Sequence, residues 1–482
     1  MMKLPLQYCL SVAVIAAVIA CCAAHREQRI LIHMMPDQAA YFENTLLRPY
    51  ERETSCNVRV ETYQSTDSIE EALAAEQGLI SVVKIPFDKA TPLLRRGRVA
   101  CLDTILTPGE LERFKNDYLM TSAGALGGRP CLVPRKFETR IMVYCKSKVA
   151  DAVQRWHEHR KAADSALVRL NGYGLPVTYE LEDDPELWDY FDVYMAGWVW
   201  AHTMYDGTVG PRVGLRGRRY SGTTQRLYDR IYQLGGDTAS ITGMEGDAVV
   251  DALYWEALYT ALGIYNDKMW TERWSGSDVW KAFGTGDVFL SFMTQLDCFF
   301  IHGTGSDNLM GYLGNPDDMG VATMPVACSI DMDATGMPLR SGSKGISTGG
   351  WWWGIPADAP DPKQAFKLIS YITGTTAQVQ ECSRFGMIPV RKDILGDMGV
   401  MFGGGWISGV YDVSFRQLMA NGYTVLPAHR FFDEINSLYL DLIDEVLVGR
   451  KWADGGEIPD REYIASVIKN RYQPKLRQLV QR

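Results

Sequence analysis

The chain has 482 residues and carries 49 basic against 58 acidic side chains, a formal charge of -9. With no basic block beyond the short Arg95-Arg96-Gly97-Arg98, that balance argues against nucleic acid as a partner. The length suffices for two hydrophobic cores, and the sequence shows neither a low-complexity tract nor an internal repeat.

The N-terminus reads as a targeting segment. Lys3 is the only charge in the first two dozen residues, and Tyr8 to Ala20 is an apolar run too short to span a bilayer. Val18-Ile19-Ala20-Cys21 resembles the bacterial lipobox, in which the cysteine is lipidated and becomes the new N-terminus. This predicts a signal peptide over 1–20 and a lipid-anchored tether over 21–28. Of the ten cysteines, Cys9, Cys21 and Cys22 belong to this region. The other seven (Cys56, Cys101, Cys131, Cys145, Cys298, Cys328, Cys382) show no C-x-x-C spacing and cannot all pair within the chain. Most read as buried thiols, and none suggests a metal site.

Arg29–His33 is a short apolar strand, and Asp37 and Gln38 follow at its end. Phe42, Leu46 and Tyr50 mark a helix. Asn57–Tyr63 alternates as a strand, with Gln64 after it. Asp67 and Glu70 suit a capping box for the next helix, and Leu79–Ile85 is a third strand. Strand alternating with helix predicts a parallel sheet. Ligands bind such sheets outside the carboxyl ends of the strands, which places Asp37, Gln38, Gln64, Phe87 and Asp88 near one edge.

Residues 131–147, containing Lys136 and Glu138, lead into a helix-rich stretch over 150–320 that is dense in aromatics, Trp188 and Trp280 among them. Gly320–Pro325 is another strand, and 330–348 reads as loop. Thr348-Gly-Gly-Trp351-Trp352-Trp353-Gly-Ile-Pro356 then forms a strand. Side chains alternate across a strand, so Trp351 and Trp353 share one face and Trp352 takes the other. Gly350 allows a close backbone approach, and one indole is expected to stack on a ligand. A helix opens at Asp361, with Phe366, Ile369 and Ile372 on one face. Phe385–Asp393 connects to a helical C-terminus in which Phe432, Ile435, Leu438 and Leu442 share a face.

Catalytic motifs are few. Gly345-Ile-Ser347-Thr-Gly349 fits G-x-S-x-G, with His429 downstream, but a nucleophile elbow needs a helix after the serine. The tryptophan strand and Pro356 stand there instead. His157 and His159 face different ways on a helix, and neither a Walker loop nor H-E-x-x-H occurs. No enzymatic activity, metal or cofactor is expected.

The chain resembles the family 1 extracellular solute-binding proteins of ABC importers, which include maltose-binding protein. The carriers are the lipobox, Pro49-Tyr-Glu-Arg-Glu-Thr, Ser81-Val-Val-Lys-Ile-Pro-Phe-Asp, Pro134-Arg-Lys-Phe-Glu-Thr-Arg-Ile-Met-Val-Tyr, Phe283-Gly-Thr-Gly-Asp-Val-Phe-Leu-Ser, Met319-Gly-Val-Ala-Thr-Met-Pro, Gly349-Gly-Trp and Ile388-Pro-Val-Arg391. Ser81 stands where the family usually has aspartate, and Thr294-Gln295 departs from its usual small residue or proline-tryptophan. The resemblance implies an α/β, two-lobe periplasmic-binding-protein fold of type II, with a ligand cleft at a multi-strand hinge. It implies an N-terminal lobe over 26–136 plus 326–378 and a C-terminal lobe over 142–322 plus 384–482. By position it assigns ligand contacts to Asp37, Gln38, Gln64, Asp88, Glu138, Trp188, Gln295, Gly350, Trp351, Arg391 and Phe432. It implies a monomeric receptor, anchored through Cys21 in the periplasm or at the cell surface. Such a receptor would take a sugar or oligosaccharide to the permease subunits of an ABC transporter by hinge closure. A receptor for a glycerophosphodiester, met by Lys84, Lys136 or Arg391, is the alternative, and an exported hydrolase using Ser347 is a third reading.

Overall fold

The computed structural model describes residues 27–303, 311–420, 431–449 and 460–480. Cys21 with its lipobox, Cys22 and His429 lie outside the described residues. Eight strands carry the two main sheets: β1 (Glu27–Ile32), β2 (Asn57–Thr62), β3 (Val82–Pro86), β4 (Leu132–Glu138), β5 (Arg140–Cys145), β6 (Leu290–Thr294), β7 (Met319–Ala322) and β8 (Gly349–Gly354). The chain divides into two compact units. Unit 1 takes the described chain up to Lys136, then Gly350–Glu381 and Pro389–Gly396. Unit 2 takes Phe137–Gly349, Cys382–Ile388 and the chain from Asp397.

Unit 1 is built on a five-stranded sheet in the order β2-β1-β3-β8-β4. β1 pairs with β2 and β3 in parallel, with Ile30 opposite Val60 and Val82. β8 runs antiparallel to β3, with Trp351 opposite Pro86 and Trp353 opposite Lys84. The carboxyl ends of β1 to β3 and the start of β8 therefore meet at one edge. Phe42, Leu46 and Tyr50 are buried on the helical run after β1. Trp352 stacks on Phe87 with centroids 4.6 Å apart, and Trp353 stacks on Phe42 at 5.7 Å. The alternation expected of the three tryptophans is thus present, with two indoles buried and Trp351 half-buried. Asp361 accepts from the Gln364 amide (3.1 Å) and caps the helix Pro362–Ile372. Ahead of the helix Ile69–Ala75, the cap pairs Ser65 with Ser68 rather than using Glu70.

Unit 2 holds a three-stranded antiparallel sheet, β6-β5-β7, among helices. The helices Tyr190–Ala201 and Asp247–Ala261 are almost wholly buried, which accounts for the density of aromatics. Glu256 is buried between Arg226 and Arg230, and its carboxylate accepts from both. A buried carboxylate keeps its charge when it is paired in this way.

Two boundaries differ from the sequence expectation. Residues 326–349 belong to unit 2, because Trp255 Nε1 donates to the Cys328 carbonyl (2.7 Å) and the Ser343 amide donates to the Gln233 carbonyl (2.8 Å). Pro389–Gly396 belongs to unit 1, where the Leu119 amide donates to the Val390 carbonyl (2.9 Å). Cys101 and Cys131 form a disulfide, while Cys145, Cys298, Cys328 and Cys382 are buried thiols. On the C-terminal helix the buried stripe runs through Tyr439 rather than Leu438. No described helix is long and apolar enough to cross a membrane.

Candidate functional site

At the strand-end edge of unit 1, four residues lock together. His33 follows β1, Tyr63 follows β2, Lys84 lies in β3 and Trp351 in β8. The Lys84 ammonium donates to the His33 carbonyl (2.6 Å), and the Tyr63 hydroxyl donates to the Lys84 carbonyl (2.7 Å). His33 Nδ1 lies 3.0 Å from the Tyr63 carbonyl. Its ring stacks on Tyr63 (5.4 Å) and on Trp351 (6.3 Å). Lys84 Nζ sits 3.9 Å from the Trp351 ring centroid. Burial, and then the charge of Asp88, push the Tyr63 hydroxyl well above its usual range, so it stays a neutral donor.

Asp37, Gln64 and Asp88 flank this cluster along the chain, the first two exposed and Asp88 half-buried. Gln38 is turned inward and only 7 % exposed. Gly350 adopts φ 140°, a region that side-chain-bearing residues rarely occupy, so glycine is required where β8 enters the edge. The cluster thus offers a half-exposed indole, an ammonium beside it and carboxylate and amide groups nearby. An apolar face rimmed by polar groups can hold a solute that has both characters.

Arg391 does not belong to this cluster. Its guanidinium pairs with Asp393 (2.9 Å) and lies 3.7 Å from Asp117 and over the Tyr118 ring. Lys136 is buried at the end of unit 1's first segment.

In unit 2 the structure withdraws several expected contacts. Trp188 is fully buried, its Nε1 donating to the Glu182 carbonyl (2.9 Å). Gln295 is fully buried too, accepting from the Thr139 amide (3.2 Å) and donating to the Phe137 carbonyl (3.3 Å). Phe432 packs on Tyr228 at 5.9 Å and is 8 % exposed. These three are packing residues, because their polar atoms are satisfied inside the unit or, for Phe432, because the ring is covered. Glu138 is half-buried beside Gly349. The end of β6 presents another pair, which the sequence reading passed over. Half-buried Trp280 stacks on Phe300 (4.0 Å, 9°) and donates to Asp297 (2.7 Å), which also holds Arg216 (3.0 Å).

Ser347 is fully buried. Its hydroxyl donates to Asp229 (2.7 Å) and accepts from Arg140 (2.7 Å), and β8 follows it instead of a helix. It cannot be approached as a nucleophile. Among the described residues no three His, Cys, Asp or Glu side chains come together as a metal site.

His33 and Tyr63 were also missed by the sequence reading. The available signal was their position, one residue past β1 and β2 on the edge already marked by Asp37 and Asp88.

Comparison with known proteins gives a consistent picture. Residues 45–398 match the model for bacterial extracellular solute-binding proteins. No curated relative matches at the sequence level. Among solved structures, a maltose-bound MalE3 of T. maritima is similar with a TM-score of 0.64 at 15 % identity, over 94 % of this chain and 99 % of that one. The sugar-binding protein MalE of Xanthomonas citri reaches 0.64 at 13 % identity, over 94 % and 98 %. A solute-binding protein of Thermotoga lettingae bound with α-D-tagatose reaches 0.62 at 15 %, over 94 % and 99 %. At these identities the likeness carries the fold, which is the two-lobe α/β architecture of periplasmic sugar-binding proteins. The family match spans well over half of the chain, and the chain belongs to the bacterial extracellular solute-binding proteins.

Proposed function

We propose that this protein captures a carbohydrate outside the cytoplasm and hands it to the permease of an ABC importer, without breaking a bond. The observation that carries the reading is Trp351, half-exposed at the strand-end edge with the Lys84 ammonium 3.9 Å from its ring. A sugar presents C–H faces that stack on an indole and hydroxyls that bond to charged groups. Asp37, Gln64 and Asp88 supply those groups. Two of the solved neighbours named above are described as bound to maltose and to α-D-tagatose, which supports a sugar as the solute class. The mature protein would be a monomer tethered by lipid on Cys21.

One second reading is a glycerophosphodiester, but Lys84 is only 2 % exposed and its ammonium is held by the His33 carbonyl, so that bond would have to open before Lys84 met the phosphate. Calorimetry with maltooligosaccharides, monosaccharides and glycerophosphodiesters separates the two. Saturable binding of a sugar that Trp351→Ala abolishes is the expected result. Binding of the phosphodiester alone, lost in Lys84→Met, would establish the second reading. Native mass spectrometry of the freshly purified protein identifies any solute carried along. For the anchor, Cys21→Ala should move the protein from the detergent phase to the aqueous phase.

A further inference from the structure

We propose that an apolar patch on unit 2 docks a protein whose surface is apolar at its centre and basic at its rim. Among the described residues eleven large apolar side chains are exposed. Five of them, Val168, Tyr173, Val177, Met337 and Leu339, are 39 to 69 % exposed and lie on segments bonded to one another. Those segments are the end of the helix Lys146–Asn171, the loop that follows it, and the turn over 329–341. The Val177 amide donates to the Gly336 carbonyl (3.1 Å), and the Thr178 hydroxyl lies 3.7 Å from Met337 Sδ. Asn171 Nδ2 donates to the Ile330 carbonyl (3.3 Å). Gly336 packs so tightly on Val177 that an added Cβ would fall 2.4 Å from Cγ2. The patch is therefore preformed, and exposed apolar clusters of this kind mark interaction sites.

Charge selects the occupant. Residues 168–184 and 329–341 carry Glu180, Glu182, Asp183, Asp184, Asp331 and Asp333 against Arg169 and Arg340, and Arg461 pairs with Asp331 (3.3 Å). Arg340 is already paired with Asp251. Glu180, Glu182, Asp183 and Asp184 are all exposed, on the chain that runs straight on from Val177 and Thr178. An acidic rim repels anionic lipid. It also repels a second copy, since a two-fold contact sets the same patch against itself. A basic-rimmed protein surface gains from both the apolar centre and the rim. The proposal does not depend on which solute is bound.

The test places a photoreactive p-benzoylphenylalanine at Met337 of the full chain in its own cells. The expected result is a protein adduct whose partner, once purified, binds the full chain. That affinity should fall at least tenfold in Val177→Asp/Leu339→Asp, at least threefold in Glu180→Lys/Asp183→Lys, and with added salt. Because every substituted side chain is exposed, the melting temperature and solute affinity should stay at wild-type values. An adduct with lipid, an adduct with a second copy, no adduct, or a partner indifferent to both pairs of substitutions would overturn the proposal. None of these outcomes touches solute binding, which calorimetry reads separately.

Discussion

Lys84 reaches diagonally across the β3–β8 ladder and sets its ammonium 3.9 Å from the centroid of Trp351, two positions from its direct partner Trp353. The same ammonium holds the His33 carbonyl at 2.6 Å, so one buried cation fixes both the indole and the loop after β1. Lys84→Met keeps the stem and removes the charge. Solute affinity should fall about tenfold or more, within the range of a desolvated cation–π contact plus a lost charge-assisted bond. Calorimetry that returned wild-type affinity would remove Lys84 from the site.

The three tryptophans should separate function from stability. Trp352 is 1 % exposed and stacked on Phe87, so Trp352→Ala should cost about 3–5 kcal/mol of unfolding free energy. Trp351→Ala should leave stability within about 1 kcal/mol, as expected near the surface, while abolishing solute binding. Urea titration and calorimetry on the two variants check this together. The assignment of the edge fails if Trp351→Ala binds normally.

The Cys101–Cys131 disulfide closes a loop with a sequence separation of 30. Chain-entropy arguments put its contribution at about 3–4 kcal/mol. A reductant should lower the melting temperature of the wild type and leave that of Cys101→Ser/Cys131→Ser unchanged. Thiol titration of the unfolded chain should rise by two on reduction.

Asp192 supplies a pH dependence. Burial, and then the neighbouring Asp189, push its carboxyl up to about 8. It accepts from the Tyr179 hydroxyl (3.1 Å) and the Asp189 amide (2.8 Å). A carboxyl raised in the fold favours the protonated form. Its stabilisation is complete below the unfolded value near 4 and is lost as pH rises through about 8. Relative to wild type, Asp192→Asn should therefore gain in melting temperature steadily from pH 4 to pH 8. A difference that is flat with pH would show that Asp192 is ionised throughout.

Ser347→Ala should act on folding alone. Removing the hydroxyl takes one bond each from Asp229 and Arg140, which remain paired with one another, so the cost should be about 1 kcal/mol. Any hydrolysis of generic esters or glycosides should stay at background in both proteins. Turnover lost in the variant alone would revive the hydrolase reading.

Local periodicity made much of unit 1 legible in advance. The stripes through Phe42, Leu46 and Tyr50 and the alternation in β2 each repeat within a dozen residues, and a strand–helix–strand rhythm implies parallel pairing. The insertion of β8 between β3 and β4 was not legible, because it joins Trp351 to Pro86 across most of the chain. The same limit explains Trp188 and Gln295. Their chemistry suits a binding site, but whether a side chain faces solvent depends on tertiary packing, here the Glu182 and Phe137 carbonyls that claim their polar atoms. His33 failed in the opposite sense. A lone histidine after a strand carries no pattern of its own, and its place beside Trp351 follows only from the β1–β3–β8 order.

The position of β8 also bears on how the protein is made. Until the ribosome has passed Gly354, β3 and β4 each lack their shared neighbour, and Phe42 and Phe87 lack the indoles that cover them. The whole stretch from Phe137 to Gly349 must be synthesised first. Such long-range pairing closes slowly. The β3–β4 side of the unit 1 sheet therefore stays open until β8 is made, although β1, β2 and β3 can already pair, and an incompletely closed unit suits an export channel's cargo. Transposing the 350–381 segment to just before Phe137, with residues 1–136 kept in front, would let unit 1 close early, and the same amino acids would then become a poorer substrate for secretion.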